Sequence, residues 1–411
     1  MGDRMDATVR DIVIVGGGLA AGKAAEAVRA EGFDGTVTVL TEEPERPYER
    51  PPLSKGYLVG KQSVDEVYVH STEFYPEHDI AVHIADPATR IDRERGQVHT
   101  RSGQQLPFDR LLLATGATPR RLRLGDDDLD GVVVLRTLED SRTLAERLQA
   151  VAHVTVVGAG WIGCEVAAAA RSYGTDVTMV DPLEVPLARV LGTQVGRVFA
   201  DLHRDHGVDL RLGVGIAGVQ GTGTVEQVDL DDSSTLDTEL VVIGVGVIPR
   251  VDLAEQAGLE IENGVLVDQT LTTTDPRILA AGDIANAWHP LLNRRIRVEH
   301  WANALNQGTA AGRNLLGAGQ PYDRLPYFFS DQYDLGMEYT GLADPSDQVV
   351  FRGSVDTREF IAFWVRDERV VAGMNVNVWD VVEDIQNLIR SGATVDPDAL
   401  ADPDVPLTDL G

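Results

Sequence analysis

Cysteine is nearly absent from this 411-residue chain: Cys164 stands alone, so neither an internal disulfide nor a paired-cysteine redox centre can form. Cys164 itself reads as a small packed side chain, since free cysteine is usually buried. Cations are also scarce. Lys and Arg number 36 against 65 Asp and Glu, a formal net charge of −29. That balance argues against nucleic-acid binding, whose affinity comes from cations neutralising phosphates, and it favours solubility. No apolar run reaches the roughly 18 residues needed to span a bilayer. The opening MGDRMDATVRD is polar and leads straight into a strand, so no signal peptide is expected and the cytoplasm is the expected location. No Ser–His–Asp set, metal cluster, short repeat or low-complexity tract stands out. His203 and His206, in HRDH, lack neighbouring ligands and read as solvated surface rather than a metal site.

What the chain does have is glycine set directly after apolar strands. DIVIVGGGLAAG carries Gly16, Gly18 and Ala21 in the frame Gly-x-Gly-x-x-Gly/Ala, and VTVVGAGWIGCE carries Gly158, Gly160 and Gly163. One such motif is weak evidence; two, each between a strand and a helix and each followed by an acidic residue after the next strand, point to a protein that holds two dinucleotides. The first glycine permits a tight turn, the second lets backbone approach a pyrophosphate, and the third lets helix pack on strand. The helix then aims its amino end at the phosphates.

Length alone suggests about two or three domains. IVIV before the first glycines is a buried strand, AAGKAAEAVRA a helix and TVTVL (36–40) the next strand. The plan repeats as HVTVV (153–157), a helix from Trp161 to Tyr173 and DVTMV (176–180). Parallel strands joined by a helix make a right-handed crossover, so the fold class is α/β with two doubly wound dinucleotide-binding domains. FDRLLLATGATP, TELVVIGVGVIPR and RILAAGDIA look like places where the chain passes between them. The expected division is 1–115 with 246–325 for the first domain, 116–245 for the second, and 326–411 for a small C-terminal α+β domain. In that last part REFIAFWVR and RVVAGMNVNV read as strands and WDVVEDIQNLIRSG as a helix. The acidic, proline-containing tail DPDALADPDVPLTDLG reads as a loose surface segment.

An acid at the end of the second strand of each unit accepts hydrogen bonds from ribose hydroxyls and repels a 2′-phosphate. In the first unit this is Glu42 or Glu43, in the second Asp181. NADH is therefore favoured over NADPH, with Arg189 as an alternative phosphate contact. Thr115 in ATG and Gly282 with Asp283 in AGD flank the first site, and a carboxylate there suits the ribityl chain of a flavin. A helix cap for the segment that follows is the alternative role for Asp283.

YERPPLSK (48–55), LLLATGATPRRL (111–122), VLRTLED (134–140), AAGDIA (280–285), VEHWANALNQG (298–308) and PYFFSDQYD (326–334) occur in that order. Together with both glycine motifs, over nearly the whole chain, this resembles the FAD- and NADH-dependent ferredoxin reductases of the putidaredoxin reductase and rubredoxin reductase type. The resemblance implies FAD-binding, NADH-binding and C-terminal domains. It also implies a reaction in which NADH reduces FAD, and single electrons pass to a small iron–sulfur ferredoxin serving a haem monooxygenase or a ring-hydroxylating oxygenase.

By that resemblance Gly16, Gly18, Glu42, Arg50, Lys55, Arg136 and Asp283 match flavin-contacting positions, and Trp301 a position at the flavin ring. Ala21, Val82, Thr115, Gly282 and Phe329 complete the candidate FAD set. Gly160, Glu165, Asp181, Arg189 and Gly246 match dinucleotide positions on the NADH side, completed by Gly158, Ile162 and Gly163. Phe329 stands where the family often has Trp, which keeps an aromatic face and loses the indole N–H. The resemblance also brings Lys55 and Glu165 together as an ion pair. Lys55 is expected to stabilise negative charge on the reduced flavin, and Glu165 to hold the nicotinamide amide.

Docking of an acidic ferredoxin would call on a local basic patch, Arg294, Arg295 and Arg297 or Arg120, Arg121 and Arg123, unless these are ordinary solvated loop charges. The expected oligomeric state is a monomer or weak dimer. Competing functions are an NADH oxidase-type flavoprotein and a redox-responsive NADH-binding protein resembling apoptosis-inducing factor.

Overall fold

The computed structural model describes residues 9–125 and 129–410. They fall into two compact units, each discontinuous in sequence. The first comprises the chain up to Arg50, Ser63–Thr118 and Ile248–Pro326; the second comprises Pro51–Gln62, Pro119–Val247 and the chain from Tyr327 onward.

The first unit is built on a parallel five-stranded sheet in the order Ile278–Ala280, Arg110–Leu113, Asp11–Val15, Thr36–Leu40, Ile80–His83. The central strand DIVIV has no polar alternation because both of its faces are covered, and Ile12 and Ile14 are fully buried. Each such side chain contributes roughly 1.5–3 kcal/mol. The helix Leu19–Ala30 follows the first glycine turn and keeps Ala21, Ala24, Ala25 and Val28 in the core. Two three-stranded sheets complete this unit: an antiparallel one of Ala88–Asp92 with its two successors, and a mixed one in which Ala285–His289 pairs in parallel with Val265–Val267 and antiparallel with Arg294–Ile296.

The second unit repeats the architecture. Its parallel sheet runs Asp209–Leu212, Asp176–Asp181, His153–Val157, Leu240–Ile243, Val132–Val134. The helix Trp161–Tyr173 follows its glycine turn and ends on Gly174 in the left-handed region at φ 84°. The same unit contains an antiparallel five-stranded sheet ordered Tyr327–Gln332, Leu335–Gly341, Arg369–Val376, Glu359–Arg366, Gln348–Ser354. The helix Val382–Ser391 lays Ile385 and Leu388 against it.

Two expectations are corrected here, and one alternative is set aside. The acidic tail is not loose: Asp396 caps the helix Pro397–Ala401, Leu400 is fully buried, and Leu407 and Leu410 pack on the cluster of Ile385 and Leu388. His203 is not solvated, being fully buried on the helix Ala188–Asp205. Asp283 does not cap a helix, because the chain continues into the strand Ala285–His289. No helix among the described residues is long and apolar enough to cross a membrane.

Candidate functional site

In the first unit the strand Asp11–Val15 delivers the chain into a turn only glycine can make. Gly16 has φ 147°, and a Cβ there would sit 2.1 Å from the carbonyl oxygen of Ala114. Gly18 caps the helix without a side-chain hydrogen bond, and a Cβ on it would have nothing within 4 Å. The first-turn N–H groups therefore depend on a ligand or solvent, the arrangement a pyrophosphate fits. Ala21 is fully buried at the third position of the motif.

Around this turn, Glu42 lies beyond the strand Thr36–Leu40, and the hydrogen bond from Arg250 holds its carboxyl below the usual range. Thr115 Oγ donates to the carbonyl of the same Arg250 at 2.8 Å. Glu43 accepts from Tyr48 Oη at 2.5 Å and from Arg50 at 3.2 Å. Of the two acids, Glu43 is thus committed to Tyr48 and Arg50. Gly282 donates its N–H to Gln307 at 2.9 Å, and Asp283 interacts electrostatically with Arg50 and His300. Trp301 opens the helix Trp301–Leu315, and its indole N–H donates to Glu49 at 2.9 Å. Val82, half-buried, pairs in register with Val39.

The second unit has the same turn in a tighter form. Gly158 has φ 102°, Gly160 caps its helix without a side-chain bond, and a Cβ on Gly163 would lie 1.9 Å from the carbonyl oxygen of Gly158. Ile162 is exposed on the first turn of that helix. Asp181 ends its strand with its carboxylate held by the N–H groups of Ala159 at 2.7 Å and Leu183 at 2.8 Å. That fixes the acid beside the glycine turn with lone pairs to spare for ribose hydroxyls. Arg189 is exposed on the single turn between Leu187 (φ 58°) and Gly192 (φ 74°). Gly246 has φ 96°, and its carbonyl accepts from the N–H of Arg120 at 2.9 Å.

The second unit also contains the Lys55 cluster. Lys55 follows the short helix Pro51–Ser54, which is tied down where Ser141 Oγ donates to the Leu53 carbonyl and Tyr173 Oη to that of Leu58, both at 2.7 Å. Lys55 Nζ reaches Glu165 Oε1 at 2.5 Å, with side-chain exposures of 17% and 4%. Ser54 Oγ donates to Glu165 Oε2 at 2.5 Å and Ser330 Oγ to Oε1 at 2.7 Å. A buried carboxylate needs such partners, and three donors converge on this one. Lys55 Nζ also stands 5.6 Å from the ring centroid of Phe329. Arg136 lies just before the helix Leu138–Ala150, its N–H bonded to Asp140 at 3.0 Å.

Ser54 and Ser330 are the partners of Glu165 that sequence reasoning missed. Both sit inside motifs that carried the resemblance, one beside Lys55 and one beside Phe329. Cys164, by contrast, is fully buried, and burial pushes its thiol well above the ordinary range, so it stays protonated and inert. Among the described residues, no group of three or more His, Cys, Asp or Glu is placed to hold a metal ion.

Residues 10–308 match the family described as pyridine nucleotide-disulphide oxidoreductase. The chain belongs to that family. This oxidoreductase also carries, over residues 327–411, the domain described as reductase C-terminal. It is 38% identical over 402 residues to the anthranilate 1,2-dioxygenase system ferredoxin–NAD(+) reductase component of Burkholderia cepacia, covering 96% of this chain and 98% of that protein. It is 34% identical to the putidaredoxin reductase of Pseudomonas putida, covering 97% and 96% of the two. The crystal structure of a covalent putidaredoxin reductase–putidaredoxin complex matches it with a TM-score of 0.93 at 35% identity, over 98% of both chains. The oxidoreductase lacks the cysteine pair that the family's name refers to, so its redox chemistry has to reside in bound groups.

Proposed function

We propose that this chain is an NADH-dependent, FAD-containing ferredoxin reductase whose small iron–sulfur partner serves an oxygenase, and that it works in the cytoplasm. The observation that carries the reading is the occurrence, twice in one chain, of a parallel strand, a glycine turn and an uncapped helix, one in each unit. The relatives, one a ferredoxin–NAD(+) reductase component of a dioxygenase system and one a putidaredoxin reductase, support the choice of acceptor.

We assign FAD to 1–115 and 246–325, NADH to 116–245, and the C-terminal domain to 326–411. FAD, when bound, would supply the redox chemistry, reduction by a hydride from NADH and delivery of single electrons to the acceptor. The protein supplies position and field. Gly18 and Gly160 present helix N–H groups to the two pyrophosphates. Asp283 and Glu42 serve as acceptors for the flavin nucleotide, and Asp181 for the nicotinamide nucleotide. In the first unit Trp301, its indole anchored by Glu49, offers a flat face for a ring system, and in the second unit Phe329 offers another. Lys55, held by Glu165, provides a fixed positive charge that favours an anionic reduced state. Glu165, held in turn by Ser54 and Ser330, orients the nicotinamide amide.

An anaerobic titration of the purified yellow protein with NADH, followed by mixing with an iron–sulfur ferredoxin, tests the whole assignment. Bleaching of the bound flavin by about one equivalent of NADH and its return on mixing are expected. A colourless protein, or one that NADH leaves oxidised, overturns it.

A further inference from the structure

In the second unit a line of buried polar side chains leads away from Glu165 and ends at a histidine. Glu165 Oε1 is 2.7 Å from Ser330 Oγ, and Ser330 Oγ is 3.3 Å from Gln332 Nε2. Gln332 Oε1 is 3.1 Å from His203 Nε2, and His203 Nδ1 is 3.1 Å from Tyr333 Oη. Ser330 and Gln332 are 1% exposed and His203 is fully buried, so water does not compete for these contacts.

The direction of each proton follows from the acidic end. An ionised carboxylate only accepts, so Ser330 donates to Glu165. The serine has one proton, so its oxygen accepts from Gln332. The glutamine therefore turns its nitrogen to Ser330 and its carbonyl to His203. That carbonyl takes a donor, which places the imidazole proton on Nε2. Burial pushes the His203 pKa down to about 4, so the ring is neutral and has no second proton. Its Nδ1 then accepts from Tyr333. All four hydrogen bonds point toward Glu165.

We propose that His203 is a positioning residue: its Nε2–H, acting through Gln332 and Ser330, fixes Glu165 Oε1 as the acceptor for Lys55 Nζ. This rests on the role given above to Lys55 and Glu165. Ser330 matters because it shares Oε1 with Lys55; its hydroxyl would be free to turn away if Gln332 did not occupy its lone pair. His203 holds Gln332 in that orientation by offering its one ring proton to the amide carbonyl. The chain thus ties the helix Ala188–Asp205 to the carboxylate on the helix Trp161–Tyr173, with the proton order set at Glu165 and held at its far end by His203 Nε2–H.

The test is a double-mutant cycle on the FAD-loaded protein, with kcat/KM for NADH measured with ferricyanide as acceptor. His203→Phe is expected to lower kcat/KM about five- to tenfold, the scale of one net hydrogen bond. In a Glu165→Ala background the same change is expected to cost less than about twofold. His203→Gln, which offers an amide donor near the Nε2 position, is expected to recover most of the loss. Equal cost in both backgrounds, or His203→Gln as poor as His203→Phe, overturns the proposal while leaving the role of Glu165 standing. If Glu165→Ala alone leaves kcat/KM unchanged, the role of Glu165 fails and the proposal with it. Should His203→Phe not fold, histidine-selective 15N NMR of the wild-type holoprotein decides. The Nε2–H tautomer at neutral pH is expected, and an Nδ1–H or doubly protonated ring overturns the assignment.

Discussion

Lys55 Nζ and Glu165 Oε1 lie 2.5 Å apart across 110 residues of sequence, one on a proline-stiffened loop and the other on the helix behind the second glycine turn. The pair is nearly dry, so neither charge is tolerable without its counterpart. Breaking a buried pair by removing one partner typically costs ~3–5 kcal/mol. Ser54 and Ser330 remain on Glu165 in Lys55→Ala, which puts the expected loss at the lower end of that range in urea unfolding of the FAD-loaded protein. The rate of NADH-driven flavin bleaching in stopped flow is expected to fall by about 10²-fold, the scale of one preorganised charge donor. A rate equal to wild type would remove Lys55 from the chemistry and leave it a structural residue.

Asp181 is expected to set the cofactor preference. Its carboxylate is pinned beside the glycine turn by the Ala159 and Leu183 N–H groups, where a 2′-phosphate would meet a like charge. We expect kcat/KM for NADH to exceed that for NADPH by at least about tenfold, equivalent to ~1.4 kcal/mol. Asp181→Ala should narrow the ratio, because exposed Arg189 then faces less competition for phosphate. A wild-type preference for NADPH sinks this assignment.

Legibility in the sequence tracked periodicity. DIVIV is apolar at four of five positions and HVTVV at three, and both became the central strands of the two parallel sheets. The helix Trp161–Tyr173 has the bounds its glycine turn and Gly174 dictate. REFIAFWVR and RVVAGMNVNV became adjacent antiparallel strands. His203 was misread because HRDH is polar in isolation. The residues at intervals of four before it, Val195 and Phe199, are both buried, so His203 continues an apolar stripe and is carried inside. The tail was misread for a similar reason. Its acids and prolines hide Leu400, Leu407 and Leu410, which are spaced for short turns rather than a long helix. The partners of Glu165 could not be read from spacing at all, since Ser54 and Ser330 come from loop and strand segments far apart in the chain.

The depressed pKa of His203 makes a pH prediction. Burial lowers it from 6.5 to about 4, so between those values the unfolded chain binds a proton there that the folded chain does not. The contribution to stability is fully present above pH 6.5 and is lost as the pH falls toward 4. Its size is at most about 3 kcal/mol. His203→Gln cannot titrate. Urea midpoints of wild type and variant at pH 7.0 and 4.5 should therefore show the wild type losing more on acidification. Parallel loss in both proteins would mean that His203 does not titrate in this window.

Docking of the iron–sulfur partner should depend on ionic strength, and the structure narrows which cations are available. Arg295 spends its guanidinium on the carbonyls of Val267 and Asn286, and Arg297 on the Asp283 carbonyl and Glu299. Two of the three arginines in that group are therefore tied to their own unit. Arg120, Arg121 and Arg123 are all exposed, and they stand out locally on a chain of net charge −29. If they steer an acidic partner, raising salt from about 0.05 to 0.5 M shortens the Debye length from about 14 to about 4 Å and slows ferredoxin reduction. Reduction of a small neutral dye by the same protein should hold steady. Arg121→Glu with Arg123→Glu should raise the KM for ferredoxin severalfold and flatten its salt response without changing the dye rate. An equal salt response with both acceptors would mean that these arginines are solvated loop charges and that the partner docks by other contacts.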